Sequence, residues 1–199
     1  MDNNTKMREF FDELAPEWAP PDEEYDVRDR IVAMMQPGKN SLIADIGSGR
    51  GVMFPHLLKS EPRSLVSVEL SSEMVRLAMD EHRDPRITFL NCDILEADLP
   101  EVDAALIFNA YPHFLDKRAL GAKLAAHIKP GGIFVIAHSR SRETINGGHT
   151  GERVSWLSAP LREAETEAAE FSDWFWLDTY VDSNEIYFIR LLRKDISSS

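Results

Sequence analysis

Residues 41–51 read Ser-Leu-Ile-Ala-Asp-Ile-Gly-Ser-Gly-Arg-Gly. An apolar run turns acidic at Asp45 and then sets glycines at 47, 49 and 51. A backbone stripped of Cβ atoms at alternate positions is one that must pass close to another group. A phosphate-binding P-loop would end in Gly-Lys-Ser/Thr, which Arg50-Gly51-Val52 does not supply. A dinucleotide loop would need its third glycine at position 52, where the chain has Val52, so an NAD-dependent oxidoreductase is a poor reading. The third pattern, Asp/Glu-x-Gly-x-Gly-x-Gly, is met at every required position from Asp45 to Gly51.

Outward from this stretch, short apolar runs alternate with amphipathic ones. Strands are expected at 42–46, 64–69, 87–90, 104–109 and 133–137, and helices at 52–59, 72–82 and 117–128. Met74, Leu77 and Ala78 share one helical face; Leu120, Leu124 and Ile128 recur every four residues. Lys129-Pro130-Gly131-Gly132 stops the third helix and turns the chain into the next strand. Such alternation implies βαβ units and a mainly parallel sheet covered on both faces, an α/β fold. Two aromatic-rich runs, 174–181 and 185–190, are joined by Asp182-Ser183-Asn184 and read as a β-hairpin closing the sheet. Before the first strand, residues 7–36 read as two helical pieces broken by Pro16, Pro20 and Pro21.

The chain has 199 residues, 43% of them hydrophobic and 28% charged, and a formal net charge of −12. That balance suits a globular protein with one core, and its sign argues against nucleic acid as a partner. Cys92 is the only cysteine, which excludes an intramolecular disulfide and fits a reducing, cytoplasmic compartment. No apolar run reaches the ~18 residues that a membrane span requires.

With these features in hand, the chain resembles the class I S-adenosylmethionine-dependent methyltransferases. Besides the glycine motif, four features stand in the family's order: Glu69 closing the second strand, Asn91-Cys92-Asp93 after the third, a fourth strand opening into an aromatic loop, and Lys129-Pro130-Gly131-Gly132 before the fifth. The resemblance implies a Rossmann-like seven-stranded sheet of order 3-2-1-4-5-7-6 with one antiparallel strand. It implies a helical lid over residues 1–40 and a methyltransferase domain over 41–199, forming one structural domain. S-adenosylmethionine is the implied cofactor. The resemblance gives Asp45 to its ammonium, Gly47, Ser48, Gly49 and Gly51 to the close loop, and Glu69 to the ribose hydroxyls. Leu70 and Ile94 would flank the adenine, Asp93 would accept from its amine, and Asn109 joins the same set. Plainer roles stand beside these: Asp45 orienting the loop, Glu69 capping the next helix, Asp93 an ordinary loop acid, Leu70 and Ile94 packing the core.

The acceptor is less legible. The loop Asn109-Ala110-Tyr111-Pro112-His113-Phe114 lacks the Asn/Asp-Pro-Pro-Tyr/Phe signature of amino-methyltransferases and offers an aromatic wall instead. Phe11 and Trp18 lie in a segment similar to the Phe-Asp-x-x-Ala-x-x-Trp/Tyr lid of the quinone- and small-molecule-methylating branch. Phe11, Trp18, Tyr111, Phe114, Arg140 and Arg142 are therefore the expected acceptor contacts, the arginines either clamping an acidic group or pairing with nearby acids. His113, His138 and His149 are the candidate bases, and if they converged they would also suit a metal, although their spacing matches no metal motif. Glu163–Glu170 reads as a solvated helix face. The expected function is methyl transfer to a small, possibly aromatic or quinone-like acceptor; a non-catalytic cofactor-binding protein and a metal-associated methyltransferase are the alternatives.

Overall fold

A computed structural model describes residues 3–18, 25–148 and 156–195. Its elements are α1 (Asn3–Leu14), a 3-10 turn (Ala15–Glu17), α2 (Tyr25–Met35), β1 (Leu42–Ile46), α3 (Phe54–Leu58), β2 (Ser64–Glu69) and α4 (Ser72–Glu81). They continue with β3 (Ile87–Asn91), β4 (Val102–Phe108), a 3-10 turn (Tyr111–His113), α5 (Lys117–His127), β5 (Ile128–His138), α6 (Arg142–Gly148), α7 (Ala164–Ala169), β6 (Phe175–Asp182) and β7 (Tyr187–Arg193).

The seven strands form one sheet in the order β3-β2-β1-β4-β5-β7-β6. Strands β1 to β5 pair in parallel, and β7 runs antiparallel to both β5 and β6. This is the expected α/β Rossmann-like topology. Two apolar layers cover the sheet, and alternation along each strand assigns side chains to them. Ala44 and Ile46 of β1 join Ala105, Ile107, Phe134 and Ile136 against α5 and α7. Ile43 joins Leu106, Phe108, Val135 and Ala137 against α2 and α3.

Departures from the expected boundaries have local causes. Strand β4 stops at Phe108 because Asn109 takes φ = 53°, outside the extended region. Strand β5 begins at Ile128, directly after α5, and bulges over 129–132 before regaining register at Ile133. Helix α3 starts at Phe54 because Gly51–Met53 form a turn, and Pro55 sits in its first turn, where a missing N–H costs little. Pro16 lies in the 3-10 turn after α1, while Pro20 and Pro21 fall outside the described residues.

The expected solvated face at 163–170 is corrected. Glu167 is 2% exposed, accepts a 2.6 Å hydrogen bond from Tyr111 Oη, and pairs with Arg162 at 3.0 Å. The acidic run conceals one inward residue because only Ala164, Glu167 and Ala168 of α7 face the core.

Candidate active site

At the carboxyl ends of β1 to β5 the described residues enclose a cavity of about 690 Å³. This is where ligands settle in open parallel sheets, beside the point where strand order reverses. The glycine motif forms its wall. Gly47, Gly49 and Gly51 adopt φ of 65°, 55° and 81°, a region that side chains disfavour. Their surroundings differ. A Cβ on Gly49 would meet nothing within 4 Å, and this residue lines the cavity. A Cβ on Gly51 would lie 2.3 Å from the Phe54 ring, and Gly51 does not line the cavity. Its expected cofactor contact is therefore corrected: Gly51 lets the chain pass the α3 core. Gly47 does line the cavity, and a Cβ there would press on Ala110.

Two carboxyls stand at the ends of β1 and β2. Asp45 is 1% exposed, and its Oδ2 has no hydrogen-bond partner among the described residues. Burial, with nearby Glu69 adding to it, pushes its pKa up from an ordinary 3.8 to about 7. Asp45 lies under the loop rather than on the cavity surface. Glu69 is on that surface: one oxygen accepts from Gly49 N and the other from Ser71 N, both at 2.8 Å. Burial raises its pKa, and those backbone donors oppose the rise. A carboxylate has roughly four acceptor positions, so acceptor capacity remains beside these backbone donors. Ser48, Leu70, Asp93 and Ile94 also line the cavity, with Asp93 accepting from Leu95 N and Asn4 Nδ2.

The N-terminal segment crosses this end and is fastened at three places. Asn4 holds Asp93; Asp12 accepts from Ser71 Oγ at 2.6 Å and Glu73 N at 3.0 Å; Trp18 O accepts from Arg50 at 2.9 Å. Each tie lands on the chain just beyond β1, β2 or β3. The aspartate is favourable at the start of α4 because it meets unpaired N–H groups there. Sequence reading gave no role to Asn4 or Arg50, and singled out Asp12 only as part of the lid resemblance.

The β4–β5 end holds fewer of the expected side chains. Phe11, Trp18, Asn109, His113, Phe114 and Arg140 line the cavity. Asn109 is fixed by Ser139, donating to its Oγ and accepting from its backbone N–H at 2.9 Å each. His113 lies edge-on to Phe11 with ring centroids 5.1 Å apart, and its Nδ1 is 3.2 Å from Leu157 O. Because a carbonyl only accepts, that contact makes Nδ1 the donor and Nε2 the basic nitrogen of the neutral ring.

Three expectations at this end are corrected. Tyr111 is fully buried, because the 3-10 turn swings its ring into the core and its hydroxyl onto Glu167. Arg142 turns from the cavity to pair with Asp182 at 3.1 Å. His138 is 1% exposed and packs edge-on to Tyr187 with centroids 6.0 Å apart, since its place in β5 directs it to the α5–α7 side. His149 lies outside the described residues, so the three histidines are not seen to converge. Among the described residues no group of three His, Cys, Asp or Glu side chains could hold a metal.

Residues 43–132, the stretch that builds this cleft, match the family described as "Methyltransferase domain". That stretch is a methyltransferase domain, set in the fold of the class I methyltransferases. The domain marks the chain as an enzyme. An uncharacterized methyltransferase of Mycobacterium bovis is 26% identical over 135 residues, 67% of each chain. A ribosomal RNA small subunit methyltransferase A of Mycoplasma mycoides is 30% identical over 73 residues, 37% of this chain and 27% of that one. The N-methyltransferase NodS of Bradyrhizobium japonicum, solved with S-adenosyl-L-homocysteine, superposes with a TM-score of 0.74 over 98% of this methyltransferase and 100% of that one, at 16% identity. At such identity the likeness is one of fold. No helix among the described residues is long and apolar enough to cross a membrane.

Proposed function

We propose that this methyltransferase acts on a small molecule with an aromatic or quinone-like body. The observation that carries this reading is the lining of the cavity by Phe11, Phe114 and Ile145, with the His113 ring edge-on to Phe11. The acidity of the chain supports it further, since a net charge of −12 repels polyanionic acceptors such as nucleic acid.

The cleft suits the cofactor on its own evidence. Beneath the loop, Asp45 brings a buried carboxyl oxygen with no hydrogen-bond partner among the described residues, which favours a cationic ammonium in the cleft through a bridging water. Gly49 leaves room for close approach, and Glu69 keeps acceptor capacity for a diol. Asp93 is an acceptor for the adenine amine, with Leu70 and Ile94 against the ring faces; Gly47, Ser48 and Asn109 complete the wall. Bound there, S-adenosylmethionine supplies a methyl group already activated for in-line displacement. The protein's part is alignment and exclusion of water. Residues 1–40 serve as the lid on the domain formed by 41–199, with Phe11 and Trp18 covering the acceptor. His113 Nε2 takes the proton from an acceptor hydroxyl, and Arg140 meets any acidic substituent.

The test is incubation of the purified protein with labelled S-adenosylmethionine and a metabolite panel that includes phenols and quinols. Label transferred to a phenolic or quinol metabolite is the expected result. Transfer confined to RNA or protein would overturn the reading.

A further inference from the structure

At the β4–β5 end, two walls of the cavity lie far apart in sequence. One is the 3-10 turn with its following residue, which brings His113 and Phe114; the other is α6, which brings Thr144, Ile145 and Gly148. Helix α6 has seven residues and ends in two glycines, so it is too short and too flexible to hold its place unaided. Asn146, in the middle of this wall, does not itself line the cavity. Its side-chain amide closes two hydrogen bonds on the main chain of Leu161, donating to the carbonyl at 3.0 Å and accepting from the N–H at 2.8 Å.

The stretch that receives Asn146 also holds the opposite wall. Ala159 N donates to Pro112 O at 2.8 Å, and Leu157 O accepts from His113 Nδ1 at 3.2 Å. Pro160 fixes the backbone between these attachments and Leu161. Leu157 and Leu161 are both buried, which roots the stretch in the interior. Residues 157–161 are thus a stiff strut between the two walls, and the Asn146 amide is its joint with α6.

We propose that Asn146 is a positioning residue for the acceptor: through Leu161 it sets the gap between α6 and the turn of His113, and with it the width of ring that the gap admits. The inference rests on reading this end of the cavity as the acceptor's. A planar amide suits the part because it offers a donor and an acceptor side by side, as a peptide group does. Alanine offers neither, whereas glutamine offers both on a stem one methylene longer.

Hydrogen exchange and kinetics test the proposal on the full chain loaded with S-adenosylhomocysteine or supplied with S-adenosylmethionine. In Asn146→Ala the amides of 142–148 should exchange roughly 5- to 30-fold faster, the effect of two lost hydrogen bonds, while those of 42–51 keep their wild-type rates. Asn146→Gln should restore slow exchange. Phenol and 1-naphthol serve as narrow and wide acceptors. Both variants should shift the ratio of kcat/KM towards 1-naphthol by about tenfold, the scale on which a pocket discriminates a methylene, mainly through a raised KM for phenol. Affinity for S-adenosylhomocysteine should stay within about threefold of wild type, which shows the other end intact. Unchanged exchange at 142–148 in Asn146→Ala overturns the proposal. So does an equal fall in kcat with both acceptors at constant KM, the mark of a merely structural residue. Should Asn146→Ala not fold, the glutamine variant carries the size contrast. Wild-type protein that methylates neither phenol nor 1-naphthol sinks the aromatic-acceptor reading; exchange at 142–148 needs no acceptor and still decides whether Asn146 holds the wall.

Discussion

The two ends of the cleft are built differently. At the β1–β3 end the wall is main chain: glycines at positive φ and a carboxylate that accepts backbone N–H groups at Gly49 and Ser71. At the β4–β5 end the wall is side chains, and three of those expected there point elsewhere. Tyr111 and His138 are swallowed by the core, and Arg142 is drawn to Asp182. A site made of backbone constrains which residues can occupy it, whereas a site made of side chains depends on rotamers and neighbours set far away in sequence.

Breaking the backbone-built end carries the largest expected effects. Glu69→Ala strands two backbone donors, at roughly 1–3 kcal/mol each, so chemical denaturation should show a loss of about 2–5 kcal/mol. Binding of S-adenosylhomocysteine should fall below detection in the same protein. An unchanged midpoint would show that the carboxylate does not brace the loop.

The glycines sharpen the comparison within that end. Gly51→Ala forces a methyl onto the Phe54 ring at a left-handed residue. Overpacking at about 1–3 kcal/mol and backbone strain at about 1–2 kcal/mol add there. Gly49→Ala meets the strain alone, so its stability loss is about 1–2 kcal/mol, while its methyl enters the cleft. Thermal melts and calorimetry together should show Gly51→Ala as the worse folder and Gly49→Ala as the worse binder of S-adenosylhomocysteine relative to its stability. The reverse order would break the assignment of one glycine to the core and the other to the ligand.

Acidity probes the same end with a smaller signal. In the unliganded protein Asp45 titrates near 7 rather than 3.8, so the native state holds its proton more tightly than the unfolded chain. Its contribution to stability is fully present below about pH 4 and is lost as pH rises towards 7. A cationic ligand prefers the ionised form. Affinity for S-adenosylhomocysteine, read by calorimetry, should therefore climb about tenfold between pH 6 and pH 8, as the ionised fraction rises. Asp45→Asn should flatten that climb; a wild-type affinity constant across this range would refute the coupling.

The smallest effects test the β4–β5 end. Tyr111→Phe removes the hydrogen bond to Glu167 and should cost about 1–2 kcal/mol in denaturant melts. Arg142→Ala opens a largely shielded ion pair and should cost about 1 kcal/mol. Neither should alter S-adenosylhomocysteine affinity or the KM for an acceptor. A raised acceptor KM in either would restore these residues to the site.

The same contrast explains what could be read from the sequence. Strands β1 and β2 fall where the apolar runs put them, the hairpin follows from the aromatic-rich runs, and the strand order is the one the family resemblance implied. The left-handed turn at Gly49 was legible because the glycine spacing after β1 spells it out, and the place of Glu69 at the end of β2 followed from the apolar run before it. Tyr111 and His138 were not legible, since one half-turn of a 3-10 segment or one step along a strand decides whether a ring meets ligand or core. Glu167 was hidden for a related reason: its partner Tyr111 lies 56 residues away.

The three fastenings of the N-terminal segment, at Asp93, at the start of α4 and at Arg50, bear on how the enzyme cycles. The loops that would grip the nucleoside are the posts to which the cover is tied. Departure of a spent molecule and unlatching of the cover are then one event, a turnstile rather than a door with a separate bolt. On the proposed reading of this segment as a lid, the expected turnover is paced by exchange at the entrance rather than by the methyl transfer.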